Sequence, residues 1–97
     1  MIRHVVLFRW TPDATPEQQR RVTAELSRLP ALVPSLRDYR LGANLGLNPG
    51  NFEFAVAADF DDVDGYLAYR DHPSHRAIVA EFIQPIVAER AAVQYEC

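Results

Sequence analysis

The sequence predicts an α+β fold of element order β-α-β-β-α-β, a four-stranded antiparallel sheet with helices on one face. Three observations point there. A nine-residue β-branched and aromatic run, Ile2–Trp10, opens the chain. Two stretches carry apolar residues at helical spacing, one before and one after the middle. Two alternating runs lie between those stretches and a third follows them, so strands and helices interleave in that order.

In the first strand, His4, Val6, Phe8 and Trp10 share one face, and Arg3, Val5, Leu7 and Arg9 the other. Its middle is apolar on both faces, so both sides are expected to be covered. Thr11-Pro12-Asp13 reads as a turn. Thr15-Pro16-Glu17-Gln18 then starts a helix, with Thr15 as N-cap, Pro16 at the first helical position and Gln18 completing a capping box. Val22, Leu26, Leu29 and Val33 form its apolar stripe, and Pro30 and Pro34 bring it to an end.

Residues 35–44 read as a second strand, with Leu36 on one face and Tyr39 and Leu41 on the other. Asn48-Pro49-Gly50-Asn51 lies in the loop that follows. Residues 52–60 are the third strand; Phe52, Phe54, Val56, Ala58 and Phe60 share a face, and Ala55 and Ala57 opposite leave room for a close neighbour. Asp61, Asp62 and Asp64 suit a helix N-terminus. That helix runs to about Asp71, and His72-Pro73-Ser74-His75 breaks and restarts it. Ile78, Phe82 and Ile86 form the next apolar stripe, and Pro85 is expected to bend or end this helix. Residues 90–96 close the sheet, with Val93 and Tyr95 on one face.

Residues 1–97 are expected to form one domain. Hydrophobic residues make up 48%, too many for a disordered chain. The net charge of −3 argues against nucleic acid, whose binders need a basic face. No apolar run is long enough for a membrane span or a secretory h-region. Cys97 is the single cysteine and has no intrachain partner, so a cytoplasmic location is the expectation. A four-stranded sheet with helices on one face leaves the other face bare. A homodimer through that open sheet face is therefore expected.

Chemistry has few places to reside. The chain has three histidines, His4, His72 and His75. Tyr69 and His72 are three residues apart, a spacing that brings helical side chains together. His75 starts the next helical segment and is placed to meet His4 across one pocket. Histidine titrates near neutrality, and a tyrosine hydroxyl can donate to a carbonyl oxygen where charge develops. Each residue also has a structural reading: His72 as a cap before Pro73, His75 as a helix-start residue, His4 as a core histidine, Tyr66 and Tyr69 as core edge. His-x-x-His with His4, Asp71 or Glu53 is a conceivable zinc set. It lacks the i, i+4 geometry of helical zinc pairs, and no metal is expected. No nucleophile elbow, phosphate loop or dinucleotide fingerprint is present, and no cofactor is expected.

The runs IRHVVLFRW, FEFAVAADFDDVDGYLAYRDHPSH and VQYE, in that order, resemble the dimeric α/β-barrel stress-responsive family, Dabb. The resemblance spans essentially the whole chain and implies a ferredoxin-like protomer whose sheet packs on its partner's in a dimeric α/β barrel. Most members have no defined activity. One plant member, olivetolic acid cyclase, closes a linear polyketide thioester by an aldol step. The resemblance carries its catalytic tyrosine and histidine onto Tyr69 and His75, its pocket histidine onto His4, and the first histidine of its motif onto His72. Where the cyclase has a histidine on the third strand, this chain has Phe54, which makes the pocket more apolar.

Three functional readings follow. In one, His75 is a base and Tyr69 a hydroxyl donor acting on a small apolar or polyketide-like carbonyl compound. His4, Tyr66 and His72 join Val6, Phe8, Trp10, Phe54 and Phe82 around the ligand. In a second, the same cavity binds a small molecule, or the dimer protects other proteins, without catalysis. A cofactor-less monooxygenase of the antibiotic-biosynthesis type shares the frame and is a third reading.

Overall fold

The computed structural model describes residues 1–97. The elements are β1 (Ile2–Trp10), α1 (Pro16–Leu26), α2 (Leu29–Leu32), β2 (Asp38–Ala43), β3 (Phe54–Phe60), α3 (Val63–Asp71), α4 (Pro73–Ile78), a π-helical turn (Val79–Ile83) and β4 (Val87–Glu96). The strand order is β2-β3-β1-β4, and every neighbouring pair is antiparallel. This is the ferredoxin-like arrangement. β1, apolar on both sides in its middle, takes a central place between β3 and β4.

The capping box at α1 is formed. The Gln18 N–H donates to the Thr15 hydroxyl at 3.1 Å, and the Thr15 N–H donates to the Gln18 side-chain oxygen at 2.9 Å. The four stripe residues Val22, Leu26, Leu29 and Val33 are all buried. They do not share one helix, however. α1 ends at Leu26, and α2 begins at Leu29 with Pro30 in its first turn. Pro30 has no N–H for the Leu26 carbonyl, and its ring would crowd that oxygen, so the chain restarts there. Leu36 lies ahead of β2 and packs on the core together with Tyr39 and Leu41, not opposite them. β3 begins at Phe54 rather than at residue 52. β4 begins at Val87, earlier than the alternation suggests, because Trp10 pairs with Val87 across a register shift. Gly50 turns the β2–β3 loop with φ +81°, a conformation that suits glycine.

The register sorts the side chains onto two faces. His4, Val6, Phe8 and Trp10 of β1 and Phe54, Val56, Ala58 and Phe60 of β3 are buried under the helices. The opposite face carries Val5 and Leu7 beside Ala55, Ala57, Ala91 and Val93. Around this small-residue centre lie the ion pairs Arg3–Asp59, Arg9–Glu89 and Arg40–Asp38. Arg3 grips Asp59 with two nitrogens, at 2.7 and 2.9 Å, and holds its carboxyl below the usual carboxylate range. No helix is long and apolar enough to cross a membrane.

Leu29 contributes no surface to solvent, and its loss would leave a cavity that the short α2 cannot refill. Leu29→Ala is expected to cost about 2–5 kcal/mol in urea unfolding, with the sheet signal in circular dichroism retained.

Candidate functional site

The site begins at a proline. Pro73 disfavours a helical conformation at the preceding residue, and His72 is extended, φ −62° and ψ 134°. α3 therefore stops and α4 starts at the same residue. The His72 ring serves this junction: its Nδ1 accepts the Ser74 N–H at 3.0 Å, as an N-cap. The break turns the first turn of α4 back toward the end of α3. There the His75 Nδ1–H donates to the carbonyl oxygen of Arg70 at 3.0 Å, one of the carbonyls a helix C-terminus leaves free. The His75 ring lies 4.3 Å, centroid to centroid, from that of Tyr69.

His4 reaches the same place from the sheet. Its ring is 5.0 Å from that of Tyr66 and 6.2 Å from that of Tyr69. Its register partner on β4 is Gln94, whose side-chain amide donates to His4 Nδ1 at 2.8 Å. The two histidines are thus set in opposite senses. His75 carries its proton on Nδ1 and keeps a lone pair on Nε2; His4 accepts at Nδ1 and keeps its proton on Nε2. Neither Nε2 has a partner within the chain. No side-chain nitrogen or oxygen is both buried and unpaired, so each Nε2 has an open side.

Both histidines line a cavity of about 300 Å³ between sheet and helices. This is at the small end of ligand pockets, which run to about 1,000 Å³. From the sheet come His4, Val6, Phe8, Val56, Val87 and Arg90; from α3, Tyr66, Tyr69 and Arg70. Leu26, His75, Val79, Ile83 and Gln84 close it. Burial pushes the His4 imidazole down to about 4, helped by the nearby Arg90 charge and His75. Burial also lowers His75, against the opposing pull of its bond to Arg70. Tyr69 is buried, and its hydroxyl lies 3.3 Å from that of Tyr39. Burial and that neighbour raise the Tyr69 phenol far above its usual range, and burial pushes Tyr39 up to about 12.

The structure brings together six of the ten residues singled out in the sequence: His4, Val6, Phe8, Tyr66, Tyr69 and His75. Four do not line this cavity. His72 is used up as the cap described above. Trp10 and Phe54 pack on each other, 5.9 Å between centroids, and on Phe8; they form an aromatic floor beyond the cavity. Phe82 is half-buried against the core outside this cavity, with the Arg21 guanidinium over its ring. The cause is the π-helical turn, in which the Gln84 N–H donates to the Val79 carbonyl at 2.9 Å, five residues back. The wide turn rotates the chain past the regular stripe, so Ile83 faces inward where Phe82 was expected.

Gln94, Arg90 and Tyr39 are additions that the residue pattern alone did not single out. Gln94 and Arg90 follow from the β1–β4 register, which pairs them with His4 and Phe8. No three His, Cys, Asp or Glu side chains gather as a metal set; His72 and His75 are held by different partners.

Fold and site together define a ferredoxin-like protomer with an apolar, histidine-lined cavity between sheet and helices. The chain belongs to the Dabb family: it matches the stress responsive A/B barrel domain over residues 2–97. It is 34% identical to an uncharacterized protein of Streptomyces coelicolor over 95 residues, 92% of this chain and 97% of that protein. Among solved structures it resembles a dimeric ferredoxin-like protein of unknown function from Thermobifida fusca. That likeness has 52% identity and a TM-score of 0.92, and covers 99% of this chain and 90% of the other. Hydroxynitrile lyase from Passiflora edulis shares the fold, with a TM-score of 0.84 at 21% identity, covering 97% of this chain and 90% of that one.

Burial of His4 makes stability depend on pH. An exposed, unfolded His4 takes its proton near 6.5, the folded one only near 4. Between those values only the unfolded state is charged, so the contribution is full above about pH 6.5 and is lost as pH falls toward 4. Relative to His4→Gln, the wild type is expected to lose on the order of 2 kcal/mol between about pH 7 and about pH 4.5, read from urea midpoints.

Proposed function

We propose that the protein is a homodimer that holds a small apolar carbonyl compound in the histidine-lined cavity and moves a proton on it. One observation supports this reading: His75, whose bonded Nδ1 leaves a lone pair on Nε2, lines one small apolar cavity together with His4 and the Tyr69 hydroxyl donor. A base and a donor set by fixed partners are the minimum for enolisation. His75 Nε2 takes the proton from the carbon next to the carbonyl; that C–H bond breaks, an N–H bond forms, and the electron pair moves to the oxygen as an enolate. Tyr69 stabilises that oxygen by donating its hydroxyl hydrogen, which is free whenever Tyr39 donates to Tyr69. Its raised pKa suits a donor that keeps its proton. His4 orients the ligand. An aldol ring closure is one fate of such an enolate, and simple reprotonation another.

The dimer would form through the open sheet face. A small-residue centre of Val5, Leu7, Ala55 and Ala57, ringed by arginines already paired within the chain, suits close sheet-to-sheet approach. The Thermobifida fusca protein is dimeric, which supports the homodimer itself. Ala57→Arg would place an unmatched charge in that centre. Light scattering on a sizing column is expected to give twice the chain mass for the wild type and the single mass for the variant.

The proton chemistry is tested with benzylacetone in heavy water, following loss of its α-proton signals by NMR. The wild type is expected to accelerate exchange, and His75→Ala to lower the rate at least about tenfold. Tyr69→Phe is expected to lower it less, because His75 remains. Protonation of His75 removes the base, so the rate stays level from about pH 8 to 7 and falls only below the ordinary histidine range near 6.5. Unchanged binding of benzylacetone with no exchange in any variant would instead identify a binding module without catalysis.

A further inference from the structure

The cavity carries an unused charge. The chain has ten basic side chains, all arginine. Nine of them stand in ion pairs with carboxylates of the same chain: Arg3, Arg9, Arg20, Arg21, Arg28, Arg37, Arg40, Arg70 and Arg76. Arg90 is the exception, and it lines the cavity. Its register partner Phe8 fixes it on the helix-facing side of β4, at the exposed edge of the sheet.

Nothing around the cavity cancels this charge. Its wall holds no aspartate or glutamate. The other arginine there, Arg70, is clamped on Asp71 by two bonds of 2.9 and 3.1 Å, so its charge is answered. Arg90 instead acts on its neighbours, and its field disfavours the charged form of both His4 and His75. In a protein of net charge −3, in which every other arginine has found an acid, a free guanidinium at the mouth of an apolar cavity is a ready anion site.

We propose that the cavity takes an amphipathic monoanion, a small carboxylate whose charged end pairs with Arg90 and whose apolar body lies between Phe8, Val56, Ile83 and Val87. This rests on the reading of the cavity as a ligand site and adds the charge of the ligand. One free cation matches one negative charge, which favours a carboxylate over a doubly charged phosphate. The apolar walls match a body of alkyl or aryl carbon, and the volume limits it to a single ring or short chain. A guanidinium grips a carboxylate through two parallel N–H bonds, so it fixes direction as well as charge. A carbonyl compound held this way has one orientation relative to His75.

The test compares para-butylbenzoate with para-butylbenzamide, which have nearly the same shape and differ in charge, by calorimetric titration of the whole chain. The wild type is expected to bind the carboxylate at least about fivefold more tightly than the amide. Raising salt from about 20 mM to about 500 mM should weaken the carboxylate alone. Arg90→Gln is expected to bring the two affinities within about twofold while leaving the amide's own affinity unchanged; Arg70→Gln should keep the preference. Equal binding of both probes by the wild type overturns the anion assignment and leaves the ligand cavity standing, as does a preference that survives Arg90→Gln. Failure of both probes to bind overturns the cavity reading, and this inference with it.

Discussion

The junction at His72 and Pro73 is the constraint on which the site depends. A continuous helix through this stretch would carry His75 along the axis, away from the end of α3. Proline forbids that. It holds His72 extended, ends one helix and starts the next within a single residue. The carbonyl groups left free at the end of α3 then need donors, and His75 Nδ1 supplies one to Arg70. One local conformational rule therefore fixes the position of His75, its contact with Tyr69 and the nitrogen that bears its proton.

The π-helical turn completes the same design from the other side. The regular stripe points Phe82 toward the sheet, where the structure has Ile83. The wider turn substitutes Ile83 and leaves about 300 Å³ open. Below it, the aromatic floor of Phe8, Trp10 and Phe54 is closely packed and keeps the sheet side firm. The cavity thus lies between one irregular turn and a regular sheet. Burial is what depresses both histidines, as the leading cause in each.

Much of this architecture was legible in the residue pattern. Alternation in Ile2–Trp10 and the Val22, Leu26, Leu29, Val33 stripe pointed to the right faces, because both rest on plain periodicity and core burial. The break at Pro73 was legible because proline disfavours a helical residue before it, whereas at Pro30 the pattern read as the end of one helix and the chain instead restarts as a second. What escaped was whatever depends on register or on departures from a regular helix. Phe82 illustrates the second, since a π turn has no compositional signature. Gln94 and Arg90 illustrate the first: alternation says that they share a face, and only the pairing of β4 with β1 says that this face holds His4. His72 shows a third case, in which one side chain suited two roles and the cap prevailed, because a ring nitrogen within reach of the Ser74 N–H satisfies an otherwise unpaired helix donor.

The central claim is that two neutral histidines of opposite tautomer meet at one cavity. Nitrogen-15 NMR of the imidazole rings at about pH 7 reads this directly, because protonated and lone-pair nitrogens of a neutral ring resonate far apart. The account predicts a neutral His75 with the proton on Nδ1 and a neutral His4 with the proton on Nε2. Spectra showing both rings in the same tautomer, or either ring charged at that pH, would contradict it.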